Sequence, residues 1–149
     1  MKISDFLSAA DVKADVTATD KKKLLAELAR EAAAKIGIDA DRIAAELLKR
    51  EDLGSTGVGG GVAIPHARFA QAKTPFGMLV RLKKPVDYDA VDGKPVDIVS
   101  LLLLPADSGG EQQLGALANI ARKLRNPTVT AALRRARDST DMHRILTSD

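Results

Sequence analysis

The sequence predicts an α/β fold in which one β-sheet lies between layers of helices. Three observations support this prediction. Strand-type and helix-type patterns alternate through the first half of the chain, and helix-type spacing continues through the last third. Between them, the run from Val96 to Leu104 is almost wholly apolar, which is typical of a central strand covered on both faces.

Length and composition indicate one domain over residues 1–149. A chain of this length buries ~68–70% of the surface that its unfolded form exposes, which is enough for a core without disulfides or a structural metal. The sequence has no cysteine, which excludes disulfides, zinc ribbons and thiol nucleophiles. It has 23 basic and 20 acidic side chains, which give a formal net charge of +3.

The first third of the chain contains one predicted strand and two predicted helices. Apolar and polar residues alternate over residues 12–16, as in a half-buried strand. The first helix has Asp20 as its N-cap and ends at Gly37, with apolar residues along one face. The second helix begins near Asp41 and ends close to Arg50.

A glycine-rich segment from Gly54 to Gly61 follows the second helix, with five glycines in eight residues. Such a backbone adopts conformations closed to other residues and approaches a ligand or another segment closely. The segment leads into the short β-prone run 62–64, which Pro65 ends. His66 is therefore predicted just beyond the end of a strand and beside the glycine loop.

The rest of the chain is predicted as two strands followed by helices. The strands run from Phe76 to Lys83 and from Val96 to Leu104. Apolar residues at three- and four-residue spacing then mark a helix, and Asn126 with Pro127 ends it and begins the next. One or two final helical turns carry Met142, Ile145 and Leu146.

Composition disfavours several classes of protein. No apolar run approaches the ~20 residues that span a bilayer. The N-terminal segment, which is rich in aspartate, lacks the apolar centre of a secretion signal, so a soluble cytoplasmic protein without membrane insertion is expected. Four aromatic side chains and no tryptophan leave little for stacking on bases or sugars.

A cluster of basic residues in the last third leaves open an alternative function, a module that binds an acidic protein or nucleic acid. Nucleic-acid binding is disfavoured because few aromatic residues and no recognition motif accompany the cluster. Under this alternative His66 would be incidental. The cluster comprises Arg122, Lys123, Arg125, Arg134, Arg135 and Arg137.

The two histidines differ in their predicted surroundings. His143 lies in the last short helix, where a plain surface side chain is expected. His66 follows a strand and a proline that restricts the chain, which leaves two interpretations: a loop histidine bonded to nearby carbonyls, or a reactive imidazole. No metal site is expected, because no cysteine and no other histidine lies near His66 in sequence.

A fixed, neutral imidazole can take a phosphoryl group on one nitrogen while the other nitrogen holds the ring. The transfer needs positioning and charge neutralisation, which loop N–H groups and a guanidinium supply. The candidate cations are Arg50, sixteen residues before His66, and Arg68. Other chemistry has less support, since the chain lacks nucleotide-binding glycine motifs and a Gly-x-Ser-x-Gly elbow, and Ser100 lies in a predicted buried strand.

The run from Arg50 to Arg68 reads Arg-Glu-Asp-Leu-Gly-Ser-Thr-Gly-Val-Gly-Gly-Gly-Val-Ala-Ile-Pro-His-Ala-Arg. This order resembles the signature of the type-2 enzyme IIA domains of the bacterial phosphotransferase system, the fructose and mannitol type, and most closely the nitrogen-related branch. The resemblance extends over the whole chain and includes the Val-Asp-Gly-Lys-Pro-Val-Asp-Ile-Val entry into the central strand.

The resemblance implies a mixed sheet flanked by helices and a histidine, His66, that is phosphorylated on Nε2. The donor would be the phosphocarrier protein HPr or its nitrogen-branch counterpart. Arg50 matches the family arginine that contacts the phosphoryl group, and Arg68 is expected to bind it too. Many relatives carry a second histidine where Gln113 stands here, and glutamine can hydrogen-bond but cannot become cationic. The glycines expected to bind the phosphoryl group are Gly59, Gly60 and Gly61.

The implied function is that of a phosphoryl carrier, a component of a phosphoenolpyruvate-dependent transferase system, whose modified state regulates partner proteins. No cofactor and no metal is expected. The sequence does not identify the regulatory targets. An alternative within the family is a sugar-specific enzyme IIA that passes its phosphate to a IIB domain.

Overall fold

The computed structural model describes residues 1–106 and 110–148, with the side chains of residues 110–114 outside that description. Within this part of the chain, one mixed sheet carries helices on both faces, which confirms the predicted α/β fold. The strands are β1 (Leu7–Val16), β2 (Gly57–Gly59), β3 (Val62–Ala63), β4 (His66–Phe69), β5 (Phe76–Val86) and β6 (Val96–Pro105). The helices are α1 (Lys21–Ile36), α2 (Ala40–Asp52), α3 (Gly110–Arg125), α4 (Pro127–Arg135) and α5 (Ser139–Thr147).

Strand β6 organises the sheet. It pairs antiparallel with β5 along one edge and parallel with β3 and then β4 along the other. Strand β1 adds parallel to β5, and β2 adds antiparallel to β3. Because β3 and β4 pair with successive stretches of the same strand, the connection between them, which contains Pro65, is held against β6.

The predicted helix boundaries are confirmed by their caps. The Asp20 side chain accepts a hydrogen bond from the Lys23 amide at 2.8 Å, and Gly37 ends α1 with a left-handed φ of 73°. Asn126 caps α4 by accepting from the Thr128 amide at 2.9 Å, with proline at the first helical position. Local sequence chemistry therefore sets where these helices begin and end.

The core has two layers because β6 is covered on both faces. Successive side chains of β6 point to opposite sides of the sheet, and nearly all of them are buried. One layer joins β6 to α1 and α2, and the other joins it to α3, α4 and α5. The first layer contains Val99, Leu101 and Leu103, and the second contains Ile98, Leu102 and Leu104.

The strands differ from the prediction in four places. Strand β1 begins at Leu7 rather than at Val12, and a register shift between Leu7 and Val12 precedes residues 12–16, where burial alternates as predicted. Strand β2 was not predicted, since its residues lie in the glycine-rich segment. Strand β5 continues through Pro85, which falls in a register shift where it costs no ladder bond. Strand β4 was not predicted, so His66 begins a strand rather than lying in a loop.

Close backbone approach explains the glycine at position 57. A Cβ atom built on Gly57 would lie 2.8 Å from the Ala90 Cβ and 2.9 Å from the Ala90 Cα. The Gly57 carbonyl also accepts a hydrogen bond from the Val91 amide at 3.0 Å, so β2 and this neighbouring segment have no room to separate. The sequence prediction that the glycine segment closely approaches another segment is confirmed at this position.

Replacing Gly57 by alanine is expected to destabilise the fold by about 1–3 kcal/mol, the usual cost of forcing extra volume into a packed site. The matched control is Gly115→Ala, because Gly115 lies inside α3, and no described atom outside its own helix backbone lies within 4 Å of a built Cβ. That control is expected to raise stability by up to about 1 kcal/mol through helix propensity. Urea unfolding measures both, and an unchanged free energy of unfolding in Gly57→Ala would contradict the close approach.

Candidate functional site

The orientation of His66 is set by a single hydrogen bond. Nδ1 of the ring lies 2.8 Å from the carbonyl oxygen of Ile64. A carbonyl oxygen only accepts, so Nδ1 carries the proton and donates. Nε2 is therefore the nitrogen with the free lone pair, and it is the nucleophilic atom of a neutral imidazole.

The backbone around His66 holds that carbonyl in place. Ile64 follows β3 directly, and its amide donates to the Thr56 carbonyl at 2.9 Å. Pro65, which has a fixed φ, accepts a hydrogen bond from the Leu102 amide at 2.9 Å. Because the chain is tied to its neighbours on both sides of the turn, the ring is held at a defined angle at the start of β4.

His66 lines a cleft of about 370 Å³ between α2, β4, the end of β6 and α3. Side chains alternate along β4, so His66 and Arg68 share one face while Ala67 and Phe69 pack into the layer beneath α1 and α2. The cleft combines cations with apolar walls. The cations are Lys49, Arg50 and Arg68, and the apolar residues include Leu53, Leu104 and Leu117.

Arg50 and His66 are sixteen residues apart in sequence, but the fold brings them to the same cleft. Arg50 lies in the last turn of α2, which packs against β4, and it lines the same cleft as His66. Its Nη1 donates to the Gly54 carbonyl at 2.8 Å, which fixes one edge of the guanidinium. The structure thus brings the two main predicted site residues together.

The pKa of His66 is lowered from its ordinary value of 6.5. Burial is the largest cause, because the protein environment solvates an imidazolium less well than water does. Arg50 and Arg68 lower the pKa further by charge repulsion, while the bond to Ile64 and the carboxylate of Glu51 raise it. The ring is therefore neutral, and nucleophilic, at pH 7.

The predicted phosphoryl-binding glycines lie away from this cleft. The Gly61 carbonyl accepts from the Asp97 amide, whereas His66 pairs with Leu102 on the same strand. Five residues of strand correspond to ~17 Å. The backbone groups of Gly60 are hydrogen-bonded within the fold instead. Its carbonyl accepts from Arg134 at 2.7 Å, and its amide donates to an Asp92 carboxylate oxygen at 3.0 Å. The structure does not bring the turn formed by Gly59, Gly60 and Gly61 to His66.

The other predicted residues have simpler positions. Arg68 is exposed at the rim of the cleft. Gln113 lies in α3, but its side chain is outside the described residues, so its role stays a prediction. His143 is half-buried, with Nε2 2.9 Å from the Leu7 carbonyl oxygen, and it ties α5 to β1 rather than standing free on the surface. Ser100 is buried in β6.

The cluster of basic residues, the basis of the alternative function, is spread over helix ends. Three members lie in the last turn of α3 and two in the last turn of α4, where cations complement the helix dipole. Arg134 is engaged with Asp97 through two hydrogen bonds of 2.9 Å. The five cations at the helix ends therefore have structural roles that do not require an acidic partner.

A buried polar group near the site was missed by the sequence analysis. Glu51 lies inside the fold with Lys21, Thr56 and Tyr88 around it. The available signal was helical spacing. Ile43, Leu47 and Glu51 follow one another at four-residue intervals, so a carboxylate stands where the buried face of α2 continues.

Among the described residues, no three histidine, cysteine or acidic side chains are grouped so that they could hold a metal ion. Within the same residues, no helix combines the length and the apolar character needed to cross a membrane.

Comparison with known proteins gives a consistent result. Residues 5–149 match the family described as phosphoenolpyruvate-dependent sugar phosphotransferase system, EIIA 2. A nitrogen regulatory protein of Bradyrhizobium diazoefficiens is 40% identical over 146 residues, which is 98% of this chain and 95% of that protein. The crystal structure of the nitrogen regulatory protein IIA-Ntr from Neisseria meningitidis is 34% identical, with a TM-score of 0.92 over 97% of this chain and 99% of that one.

A more distant structure shares the fold alone. A chain in the complex of enzyme IIAMTL and phosphorylated enzyme IIBMTL from Escherichia coli is 13% identical, with a TM-score of 0.76 over 93% of this chain and 95% of that one. Taken with the family match over nearly the whole length, these similarities show that the chain belongs to the type-2 enzyme IIA family of the phosphotransferase system, alongside the nitrogen regulatory proteins.

Proposed function

We propose that His66 accepts a phosphoryl group on Nε2 from an HPr-like phosphocarrier protein and that the phosphorylated state regulates partner proteins. The observation that carries this proposal is the hydrogen bond from Nδ1 to the Ile64 carbonyl, at 2.8 Å. It commits one ring nitrogen to the scaffold and leaves Nε2 as the nucleophile. The proposal treats residues 1–149 as one IIA domain that acts in the cytoplasm, where its phosphoenolpyruvate-driven donor operates.

The transfer needs no proton to move at His66. The lone pair of Nε2 forms a bond to phosphorus as the P–N bond to the imidazole of the carrier breaks, and that bonding pair returns to the carrier nitrogen. The proton on Nδ1 stays in its bond to Ile64. A positive charge shared by the newly phosphorylated ring is stabilised by the same carbonyl oxygen.

The cations of the cleft neutralise the phosphoryl oxygens. Arg50 is partly fixed by its bond to Gly54, and a guanidinium offers several donors in one plane to phosphate oxygens. Arg68, two residues after His66 on the same face of β4, adds a second positive charge. Positioning and charge neutralisation are what phosphoryl transfer asks of a protein.

The rim of the cleft suits a protein donor. Leu53, which ends α2, is 83% exposed although it is a large apolar side chain. With Leu104 and Leu117 it lines the cleft, and an apolar patch with polar residues at its rim is typical of a surface that a protein partner covers. An HPr-like carrier docked over Leu53 would exclude water from the transfer and bring its phosphohistidine to Nε2.

Regulation is favoured over sugar transport because relatives that are 40% and 32% identical over nearly the whole chain are named nitrogen regulatory proteins. The second candidate is a sugar-specific enzyme IIA. A relative named PTS system fructose-specific EIIA component, from Haloferax volcanii, supports it, at 34% identity over 72% of this chain. Passage of phosphate from His66 to a IIB domain would favour the second candidate.

Replacement of His66 by alanine is expected to abolish phosphorylation. The protein is incubated with enzyme I, the carrier and phosphoenolpyruvate, and mass spectrometry measures an acid-labile gain of one phosphate. His143→Ala is the control, since it removes the only other histidine in the sequence and should leave the gain intact. Equal phosphorylation of His66→Ala and the parent protein would refute the site.

Replacement of Arg50 by alanine is expected to slow phosphoryl transfer by about ten- to a hundredfold. The estimate takes a charge-assisted hydrogen bond as ~1.5–3 kcal/mol and each ~1.4 kcal/mol as tenfold in rate. Quench-flow measurement of phosphate arrival at His66 tests this. Arg42→Ala removes an exposed arginine from the same helix and should keep the parent rate, so equal slowing in both variants would contradict a local role for Arg50.

On acidification, the rate of phosphoryl transfer to His66 should fall with a midpoint below pH 6.5. Because burial, Arg50 and Arg68 lower the pKa of His66, the ring stays neutral and reactive to a lower pH than an ordinary histidine. An NMR titration of the His66 ring measures the midpoint, with a short unstructured peptide around this residue as the reference. A midpoint at or above that of the peptide would contradict the assigned environment.

A further inference from the structure

A buried carboxylate lies behind the proposed phosphoryl site. The Glu51 side chain, next to Arg50 in α2, is 4% exposed. Its Oε1 accepts from the Thr56 amide at 2.9 Å and pairs with Lys21 Nζ at 2.8 Å. Its Oε2 accepts a hydrogen bond from the Thr56 hydroxyl, which also lies 3.1 Å from the hydroxyl of Tyr88. The charge is buried but fully partnered.

The turn after α2 connects this carboxylate with Arg50. Arg50 Nη1 donates to the Gly54 carbonyl, and the Gly54 amide donates to the Glu51 backbone carbonyl at 3.0 Å. Two residues later the chain reaches Thr56, which the Glu51 carboxylate holds at both its amide and its hydroxyl. The guanidinium is therefore attached to a turn whose far end is fixed by Glu51.

A second path leads from the same carboxylate to the imidazole. The Thr56 carbonyl accepts from the Ile64 amide at 2.9 Å, and the Ile64 carbonyl accepts from Nδ1 of His66 at 2.8 Å. One threonine and one isoleucine separate the carboxylate from the ring. Anything that moves Thr56 therefore moves the carbonyl that orients His66.

We propose that Glu51 is a positioning residue that holds the Arg50 guanidinium and the His66 imidazole in register for phosphoryl transfer. This inference rests on the proposed function of His66. An apolar side chain could fill the position without the cost of removing a charge from water. The carboxylate instead makes bonds that an apolar side chain could not, since its two oxygens hold the amide and hydroxyl of Thr56 together.

Glu51 also acts on the imidazole through its charge. Its carboxylate raises the pKa of His66, against burial and against Arg50 and Arg68, all of which lower it. Glutamine at position 51 would keep the volume and remove the charge. The pKa of His66 should then fall further. The remaining charged side chains of the cleft are Glu46 and Lys49.

The experiment compares Glu51→Gln with the parent protein in two measurements. Transfer from the carrier to His66 should slow by about tenfold, less than the ~100-fold that a misplacement of 1 Å can cause. The midpoint of the His66 NMR titration should move to lower pH because the opposing carboxylate charge is gone. A residue with a purely structural role would lower stability without moving this midpoint.

Thr56→Val separates geometry from charge. Valine has nearly the shape of threonine and keeps the amide bond to Glu51, but it loses the hydroxyl bonds. Transfer should therefore slow severalfold while the titration midpoint stays where it is. If Glu51→Gln does not fold, this variant decides alone, and a folded Thr56→Val protein with the parent transfer rate overturns the proposal.

Asp11→Asn is the matched control. Asp11 is also a buried acid paired with a lysine, since Lys35 Nζ lies 3.5 Å from its Oδ1. It lies on β1, which β5 and β6 separate from β4. This variant should keep the transfer rate and the His66 midpoint even where it loses stability.

The outcomes distinguish the two proposals. If Glu51→Gln folds and keeps both the parent transfer rate and the parent midpoint, the positioning role of Glu51 is wrong and the function of His66 stands. If the parent protein accepts no phosphate, the proposed function fails, and the titration of His66 still tests whether Glu51 acts on the ring.

Discussion

The candidate site depends on one hydrogen bond, from His66 Nδ1 to the carbonyl of Ile64. The bond fixes the tautomer, since Nδ1 carries the proton and Nε2 is left as the nucleophile. It also fixes the angle of the ring. The bond is maintained by the topology of the sheet. Strands β3 and β4 both pair with β6, so the intervening Ile64 and Pro65 are held between two anchored strands. A loop histidine would lack this constraint and would rotate about its side-chain bonds.

The electrostatics of the cleft serve two requirements that act in the same direction. An acceptor imidazole must be neutral, and the incoming phosphoryl group must meet positive charge. Arg50 and Arg68 repel a proton on His66 and attract an anion, so the same cations meet both needs. Burial strengthens both effects because it removes the water that would screen them. The Ile64 bond and the Glu51 carboxylate oppose this lowering of the pKa, which keeps the ring basic enough to attack phosphorus.

Local chemistry made much of the fold predictable from the sequence. Asp20, Gly37 and Asn126 cap helices through bonds to residues within four positions, and the apolar run of β6 identifies a strand covered on both faces. Strand β4 has no such local signal, because pairing with β6 rather than its own sequence creates it. Arg50 was a candidate cation for His66 from its place at the end of the second helix, and the family resemblance supported it. Their spacing by itself carries no information on how α2 packs.

The sequence predicted the turn of Gly59, Gly60 and Gly61 at His66, whereas the fold places it beside Asp97 and Arg134. Consecutive glycines suit a phosphate-binding loop as well as a tight turn. The register on β6 distinguishes the two interpretations here, because it places Gly61 beside Asp97 and His66 beside Leu102. Gly61 has a left-handed φ of 79°, and a Cβ built on it would lie 2.6 Å from Arg134 Nη2. Glycine at position 61 is therefore explained by the approach of this guanidinium, which Asp97 holds in place.

Because the glycine turn lies away from the cleft, the proposed phosphorylation of His66 would place its charge among the side chains of the cleft and change the surface there. Lys49, Arg50 and Arg68 with Glu46 leave about two positive charges among the described lining residues. Because Nδ1 keeps its proton, the phosphoryl group is balanced in part by the positive charge of the ring, and the net change is about one negative charge. Phosphorylation of His66 would therefore remove about half of this positive charge, so a partner with an acidic surface would bind the unmodified form more tightly. The regulatory signal would then be a weakened positive patch, at the same surface that receives the phosphate.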